Sequence, residues 1–275
     1  MIAPHNGRRG AMTPPVLLVA SGKGGVGTSV IAALHAVAAA ERGERVLLVD
    51  ASEAGGTLHH LFGVRPTNSL WMLTDSRSHP DDVLIPIDES LTIVAGGTSG
   101  TAIAPTTDHE RRAALMRIAH IYYRFDLVVF DGGSRLDTIS AISELCEPAL
   151  LLVTSADRLA LAANYALVKS ASARRMDAPI SILANRHGEA LAQEACEFLV
   201  GAASHFLGRT IDVVGAIPDD PCLQAAVGAG MTIRDSIDGS PAADAVRGVL
   251  SRILPAPAPS AQRPSPIATS TRRWS

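Results

Sequence analysis

The stretch that most restricts the fold is short. Five apolar residues, Val16–Ala20, run straight into Ser-Gly-Lys-Gly-Gly-Val-Gly-Thr-Ser at 21–29, and an alanine-rich segment continues to 42. An unbroken apolar run of that length suits a strand covered on both faces. Glycines at 22, 24, 25 and 27 let backbone N–H groups approach an anion, and the start of a helix adds the positive end of its dipole. Strand, glycine loop and helix in that order predict a phosphate-binding P-loop on a parallel sheet. The pattern Gly22-x-x-x-x-Gly27-Thr28-Ser29 matches the motif except that Thr28 stands at the lysine position. Gly22, Gly24, Gly25, Val26, Gly27, Thr28 and Ser29 are the expected phosphate contacts, with the Ser29 hydroxyl available to Mg²⁺.

The strand signature recurs. Apolar runs at 46–50, 91–95, 127–131, 149–154, 180–184 and 211–217 alternate with helical stretches at 57–62, 108–123, 137–146, 157–174, 189–206, 220–228 and 241–254. Gly43 stops the first helix, and Asp108 is expected to cap the third. Residues 68–89, with Pro80, Pro86 and many polar side chains, read as a surface excursion. Alternation of this kind predicts an α/β fold, a mostly parallel sheet with helices on both faces. Ligands then bind beyond the carboxyl ends of strands, where Asp50, Asp131 and the glycine loop all fall.

Three regions are expected: a flexible lead-in at 1–15, one nucleotide-binding domain at 16–254, and a tail at 255–275. The tail opens Pro-Ala-Pro-Ala-Pro, carries Arg263, Arg272, Arg273 and Trp274, has no acidic residue, and reads as disordered and basic. Net charge is −3 over 275 residues, which gives no overall pull toward nucleic acid or anionic lipid. Cys146, Cys196 and Cys222 form no C-x-x-C pair, so the common zinc and iron–sulfur signatures are missing and buried thiols are expected. His59 and His60 are neighbours, pointing about 100° apart on a helix, and read as a surface pair rather than metal ligands. No apolar run approaches the ~20 residues of a membrane span. A cytoplasmic protein is expected, reaching a membrane only through a partner.

Lys23-Gly-Gly-Val-Gly resembles the deviant Walker A motif of the MinD/ParA family of P-loop ATPases, in which a second lysine precedes two glycines. Asp50-Ala-Ser-Glu-Ala-Gly-Gly-Thr-Leu resembles the switch segment after the second strand. Asp126-Leu-Val-Val-Phe-Asp131-Gly-Gly resembles the Walker B strand. Asn185-Arg186 resembles the family's adenine-contacting position, and Gly215-Ala-Ile-Pro218-Asp219-Asp220 the loop lining the base. The order and placement of these motifs cover most of 16–254, and the chain looks nearest the MinD and flagellar FlhG type.

The resemblance implies ATP and Mg²⁺ as ligands and a nucleotide-dependent homodimer. Lys23 would cross that dimer to the partner's phosphates. Asp50 and Asp131, with Ser29, would hold Mg²⁺ and its waters, so Lys23 and Asp50 are the expected catalytic residues. Asn185, Pro218 and Asp219 would contact the base. The implied role is an ATP-binding switch that positions a division site, flagellum or similar structure through a protein partner.

Two departures fall on functional positions. Thr28 replaces the lysine that neutralises the β- and γ-phosphates. A charge-assisted hydrogen bond contributes about 1.5–3 kcal/mol, so its loss should weaken ATP roughly 10–100-fold. Ser52 replaces the second switch aspartate, and losing a water-orienting group costs ~10²–10⁴ in rate. Both point to weak or absent hydrolysis. Lys23, Arg135, Arg158 and Glu53 are the candidates for compensation. Two other readings stay open: a nucleotide-independent pseudo-ATPase scaffold, and a ParA-like DNA-partitioning protein using Arg247, Arg252 and the tail arginines.

Overall fold

The computed structural model describes residues 14–53, 55–97, 105, 107–174, 179–186 and 189–254. The expected tail at 255–275 and residues 1–13 of the lead-in lie outside them. The elements follow in the order β1 (Val16–Ala20), α1 (Thr28–Glu41), β2 (Val46–Asp50), α2 (Leu58–Leu61), β3 (Leu84–Pro86), β4 (Leu91–Val94), α3 (Asp108–Ala119), β5 (Leu127–Gly133), α4 (Leu136–Cys146), β6 (Ala149–Thr154), α5 (Arg158–Ala173), β7 (Ile180–Asn185), α6 (Glu189–Leu207), β8 (Asp212–Ile217), α7 (Pro221–Gly228) and α8 (Pro241–Ile253).

The eight strands form one sheet in the order β3-β4-β2-β5-β1-β6-β7-β8, parallel except for the edge hairpin of β3 on β4. At β1 the chain turns: β2 lies on one side and β6 on the other, so a crevice opens above the carboxyl end of β1. Side chains alternate along the buried strands. Leu18, Ala20, Leu47 and Val49 face a layer made by α3, α4, α5 and α6. Leu17, Val19, Val46 and Leu48 face α1, α2, α7 and α8. Covering both faces explains why these strands read as continuous apolar runs.

Residues 68–89 depart from the sequence expectation. Leu70–Thr74 and Pro80–Val83 are 3₁₀ turns, followed by β3. Leu70, Trp71 and Leu73 are fully buried against the α3 side of the core, so the segment is an inward plug. Helix α3 is capped by Thr107, not Asp108. The Thr107 hydroxyl accepts from Glu110 N at 3.2 Å, and Glu110 accepts from Thr107 N at 3.1 Å, a capping box one residue earlier than expected. His59 is buried and His60 exposed, so only half of that pair is at the surface. Cys196 is buried as expected, but Cys146 is partly exposed and Cys222 exposed. Among the described residues, no helix is long and apolar enough to cross a membrane.

Candidate nucleotide-binding site

The glycine loop closes over the end of β1 and is pinned at both ends. Ser21 N donates to Gly133 O at 3.0 Å, tying the loop to the end of β5. Gly22 N donates to Asn164 Oδ1 at 2.7 Å, and Asn164 Nδ2 donates to Val153 O at 3.1 Å. A Cβ on Gly22 would sit 2.2 Å from the Ala163 carbonyl, so only glycine lets α5 pack this close. Gly27 adopts φ +93°, and a Cβ there would lie 2.4 Å from Asn185 Nδ2. Gly27 is the N-cap of α1 and no side chain caps that end. Its first N–H groups are the donors that an anion satisfies.

Thr28 is nearly buried and does not imitate a lysine. Its hydroxyl donates to Ser21 Oγ at 3.1 Å, and Ser21 Oγ donates to the Lys23 carbonyl at 2.7 Å. This relay ties the two ends of the loop to each other. Lys23 Nζ pairs with Asp157 Oδ1 at 3.1 Å on a half-exposed surface. Asp157 caps α5 through Leu159 N and Ala160 N. The Ser155 hydroxyl, the Ala160 N–H and Lys23 together hold its carboxyl well below the usual range.

Asp50 ends β2, Asp131 lies two residues before the end of the neighbouring β5, and the two stand opposite each other in register. Asp50 Oδ1 accepts from Ser52 N at 3.1 Å; its Oδ2 accepts from Thr57 N at 3.0 Å and Leu58 N at 3.3 Å. Asp131 Oδ1 accepts from Gly133 N at 3.1 Å, while Oδ2 is buried with no hydrogen-bond partner among the described residues. Burial raises the proton affinity of both carboxyls. The negative charge of Asp131 raises that of Asp50 further, and the nearby Ser29 hydroxyl favours ionised Asp131. Two apposed carboxylates with an unpartnered oxygen and a serine hydroxyl beside them fit a hard divalent cation. The expected ligands Ser29, Asp50 and Asp131 therefore converge.

Asn185 sits under the loop with Nδ2 donating to Val26 O at 2.8 Å, so it braces the loop. A cleft of about 400 Å³ is lined by Lys23, Gly24, Gly25, Val26, Ser155, Asp157, Asn185, Arg186 and Asp219. An adjoining apolar pocket of about 120 Å³ is lined by Ile31, Leu34, Ile217, Pro218 and Leu223 among others, and shares Asn185 and Arg186 with the cleft. Pro218 borders the apolar pocket and Asp219 the cleft. Arg186 Nη2 donates to Gln224 Oε1 at 2.7 Å, and Gln224 Nε2 donates to Asp219 Oδ1 at 2.7 Å, which rims the apolar pocket with polar groups.

The four candidates for compensation separate. Glu53 is buried and neutralised. Arg111 Nε donates to its Oε1 at 2.6 Å and Nη2 to Oε2 at 3.3 Å, Thr138 donates to Oε1, and Arg135 Nε lies 3.1 Å from Oε2. A carboxylate so occupied cannot orient water, which removes Glu53 in this state. Arg158 lines a larger apolar groove of about 790 Å³ between α5 and α6 and is not among the residues lining the cleft at the loop. Lys23 is engaged with Asp157. Asn164, Arg111 and Thr138 are site-supporting residues that the sequence reading missed. Asn164 had a signal: it is a polar residue on the buried face that Ala160, Leu161, Leu167 and Val168 define.

Residues 17–233 match the CobQ/CobB/MinD/ParA nucleotide binding domain. The chain is 24% identical to the antiactivator FleN of Pseudomonas aeruginosa over 92% of this chain and 91% of that one. The cell division ATPase MinD of Pyrococcus furiosus superposes with a TM-score of 0.69 at 21% identity, over 87% of this chain and 98% of that one. The septum site-determining protein MinD of Pyrococcus horikoshii, complexed with Mg-ADP, gives 0.68 at 20% identity, over 87% and 96%.

Proposed function

The chain belongs to the CobQ/CobB/MinD/ParA nucleotide-binding family, and from that premise we propose that it is an ATP-binding switch of the MinD type whose hydrolysis is slow or absent. One observation carries this reading. The backbone phosphate cradle and the carboxylate pair are kept, while Thr28 is spent on the Ser21 relay and Ser52 offers no carboxylate. The backbone groups suited to holding a phosphate chain are therefore kept, while the charged groups that would drive its cleavage are reduced.

In this reading the amides of 24–29 bind the phosphates. Ser29, Asp50 and Asp131 hold Mg²⁺, which when bound neutralises phosphate charge. The base enters the pocket bounded by Ile31, Leu34, Pro218 and Asn185. Two subunits then close over ATP, with Lys23 exchanging Asp157 for the partner's phosphates, and the closed dimer presents a surface to a protein partner. The likeness to FleN and MinD supports a role in spatial positioning of a cellular structure. The site of action is the cytoplasm, or a membrane reached through that partner.

The test is calorimetry with ATP-Mg²⁺ and ADP-Mg²⁺, alongside size exclusion with light scattering. Binding of both nucleotides, a larger mass with ATP only, and background turnover are expected. One mass in both nucleotides excludes the switch. Binding of neither leaves a nucleotide-independent scaffold. Turnover above background that vanishes in Asp131→Ala refutes the slow-hydrolysis claim.

A further inference from the structure

Loss of the loop lysine leaves the terminal phosphate without a cation from Thr28, and the structure separates the groups that could supply one. Arg158 lines the α5–α6 groove. Lys23 is hydrogen-bonded to the α5 cap residue Asp157. Arg111 is buried at 3% side-chain exposure, with both Glu53 oxygens and Asp108 as partners. Lys23, which also has a single ion-pair partner, is the residue that the reading above sends to the other subunit's phosphates, so within one subunit Arg135 is the cation left. Its side chain is 55% exposed, and among the described residues its one ion-pair contact is Nε to Glu53 Oε2 at 3.1 Å.

Position favours Arg135 as well. It follows Gly133 by two residues, and the Gly133 carbonyl accepts the N–H of Ser21, the first residue of the loop. A Cβ on Gly133 would lie 3.2 Å from Ser52 Oγ, so the end of β5, the segment after Asp50 and the phosphate loop meet at one point. Arg135 is also the N-cap residue of α4, at the carboxyl end of the sheet where the ligand cleft opens.

We propose that Arg135 is the cation that serves the terminal phosphate in place of the missing lysine, leaving Glu53 for phosphate when a triphosphate binds. The inference rests on the nucleotide reading above and names the residue that discriminates ATP from ADP. The exchange strands no buried charge. When Arg135 departs, Glu53 keeps two hydrogen bonds from Arg111 and one from Thr138. A planar guanidinium also meets phosphate with two parallel N–H donors, which a lysine does not. The same move loosens one of the ties between the segment after β2 and the start of α4, so arrival of a terminal phosphate is felt in both.

The experiment is calorimetry with ATP-Mg²⁺ and ADP-Mg²⁺ on the full chain, comparing wild type, Arg135→Ala, Arg135→Lys and Arg158→Ala, with thermal melts to confirm folding. Arg135→Ala is expected to weaken ATP about 10–100-fold and leave ADP within about threefold. Arg135→Lys falls between, and Arg158→Ala matches wild type. In a Thr28→Lys background the Arg135→Ala loss shrinks to about threefold or less, because the lysine takes the phosphate. An unchanged ATP affinity in Arg135→Ala overturns the inference. Equal losses for ATP and ADP also overturn it, since they mark a structural role. If the wild type binds neither nucleotide, the nucleotide reading itself fails and takes the inference with it, an outcome distinct from the other two.

Discussion

Glu53→Gln tests whether the buried ion-pair hub holds the segment after β2 in place. The side chains of Glu53 and Arg111 are only 5% and 3% exposed. Removing the charge leaves Arg111 buried, with Asp108, itself 73% exposed, as its remaining carboxylate. Breaking one side of a buried pair costs about 3–5 kcal/mol, because the surviving charge stays desolvated. Domains of this kind are stable by only about 5–15 kcal/mol, so the change removes a large share of the total. For a chain of this size, each kcal/mol lowers the melting temperature by about 2–4 °C, which predicts a fall of roughly 6–20 °C. A thermal melt followed by circular dichroism measures that fall, and urea unfolding measures the free energy. Arg112→Gln is the control: it breaks the half-exposed pair with Glu144 and should change stability by less than about 1 kcal/mol. If Glu53→Gln costs no more than Arg112→Gln, the hub is not what fixes this segment, and the reasoning from burial fails.

Thr28→Lys should tighten ATP about threefold or less over wild type, since Arg135 already serves the phosphate, but about 10–100-fold in the Arg135→Ala background, read by calorimetry, at a cost near 1 kcal/mol in stability from the lost bond to Ser21. Gly27→Ala should abolish nucleotide binding, since its Cβ would meet Asn185 Nδ2 at 2.4 Å in a left-handed backbone; normal binding would show that the loop yields freely. Stability should also depend on pH through Asp50. Its carboxyl is raised from 3.8 to about 7, so the folded state binds more protons than the unfolded one across that window. Its contribution is full at low pH and lost as pH rises toward 7. Buried His35, lowered from 6.5 to about 4, acts in the opposite sense below pH 6.5. The comparison is therefore wild type against Asp50→Asn by denaturant unfolding without divalent cation. The stability of the wild type relative to the variant should fall between about pH 4 and pH 7 and level off above, and a flat difference across that window would refute the carboxylate argument.

The fold was largely legible because its strands are buried on both faces. β1, β2 and β6 begin and end where their apolar runs do, since covering both sides leaves no polar alternation to blur the edges. Residues 68–89 were misread because prolines and polar side chains around Trp71 mask a plug whose burial depends on α3, distant in sequence. The glycine loop was legible from its residues and spacing and the other motif residues from the family resemblance, and the structure brings Ser29, Asp50 and Asp131 together. The partners of the motif residues were not legible. Nothing local ties Glu53 to Arg111, 58 residues away, or Gly22 to Asn164, 142 residues away. Such pairs exist only once the crossovers bring α3, α4 and α5 alongside the carboxyl ends of the strands.

The hydroxyl relay from Thr28 through Ser21 to the Lys23 carbonyl has a thermodynamic consequence. A loop already tied end to end gives up little conformational freedom when an anion arrives, so the ordering cost of association is small. The missing lysine removes attraction, and the relay lowers the entropic toll against which that attraction would have worked. Recognition at such a loop draws on shape held in advance, and its sensitivity to salt is set by the half-exposed cations beside the loop, Lys23 and Arg135, rather than by position 28.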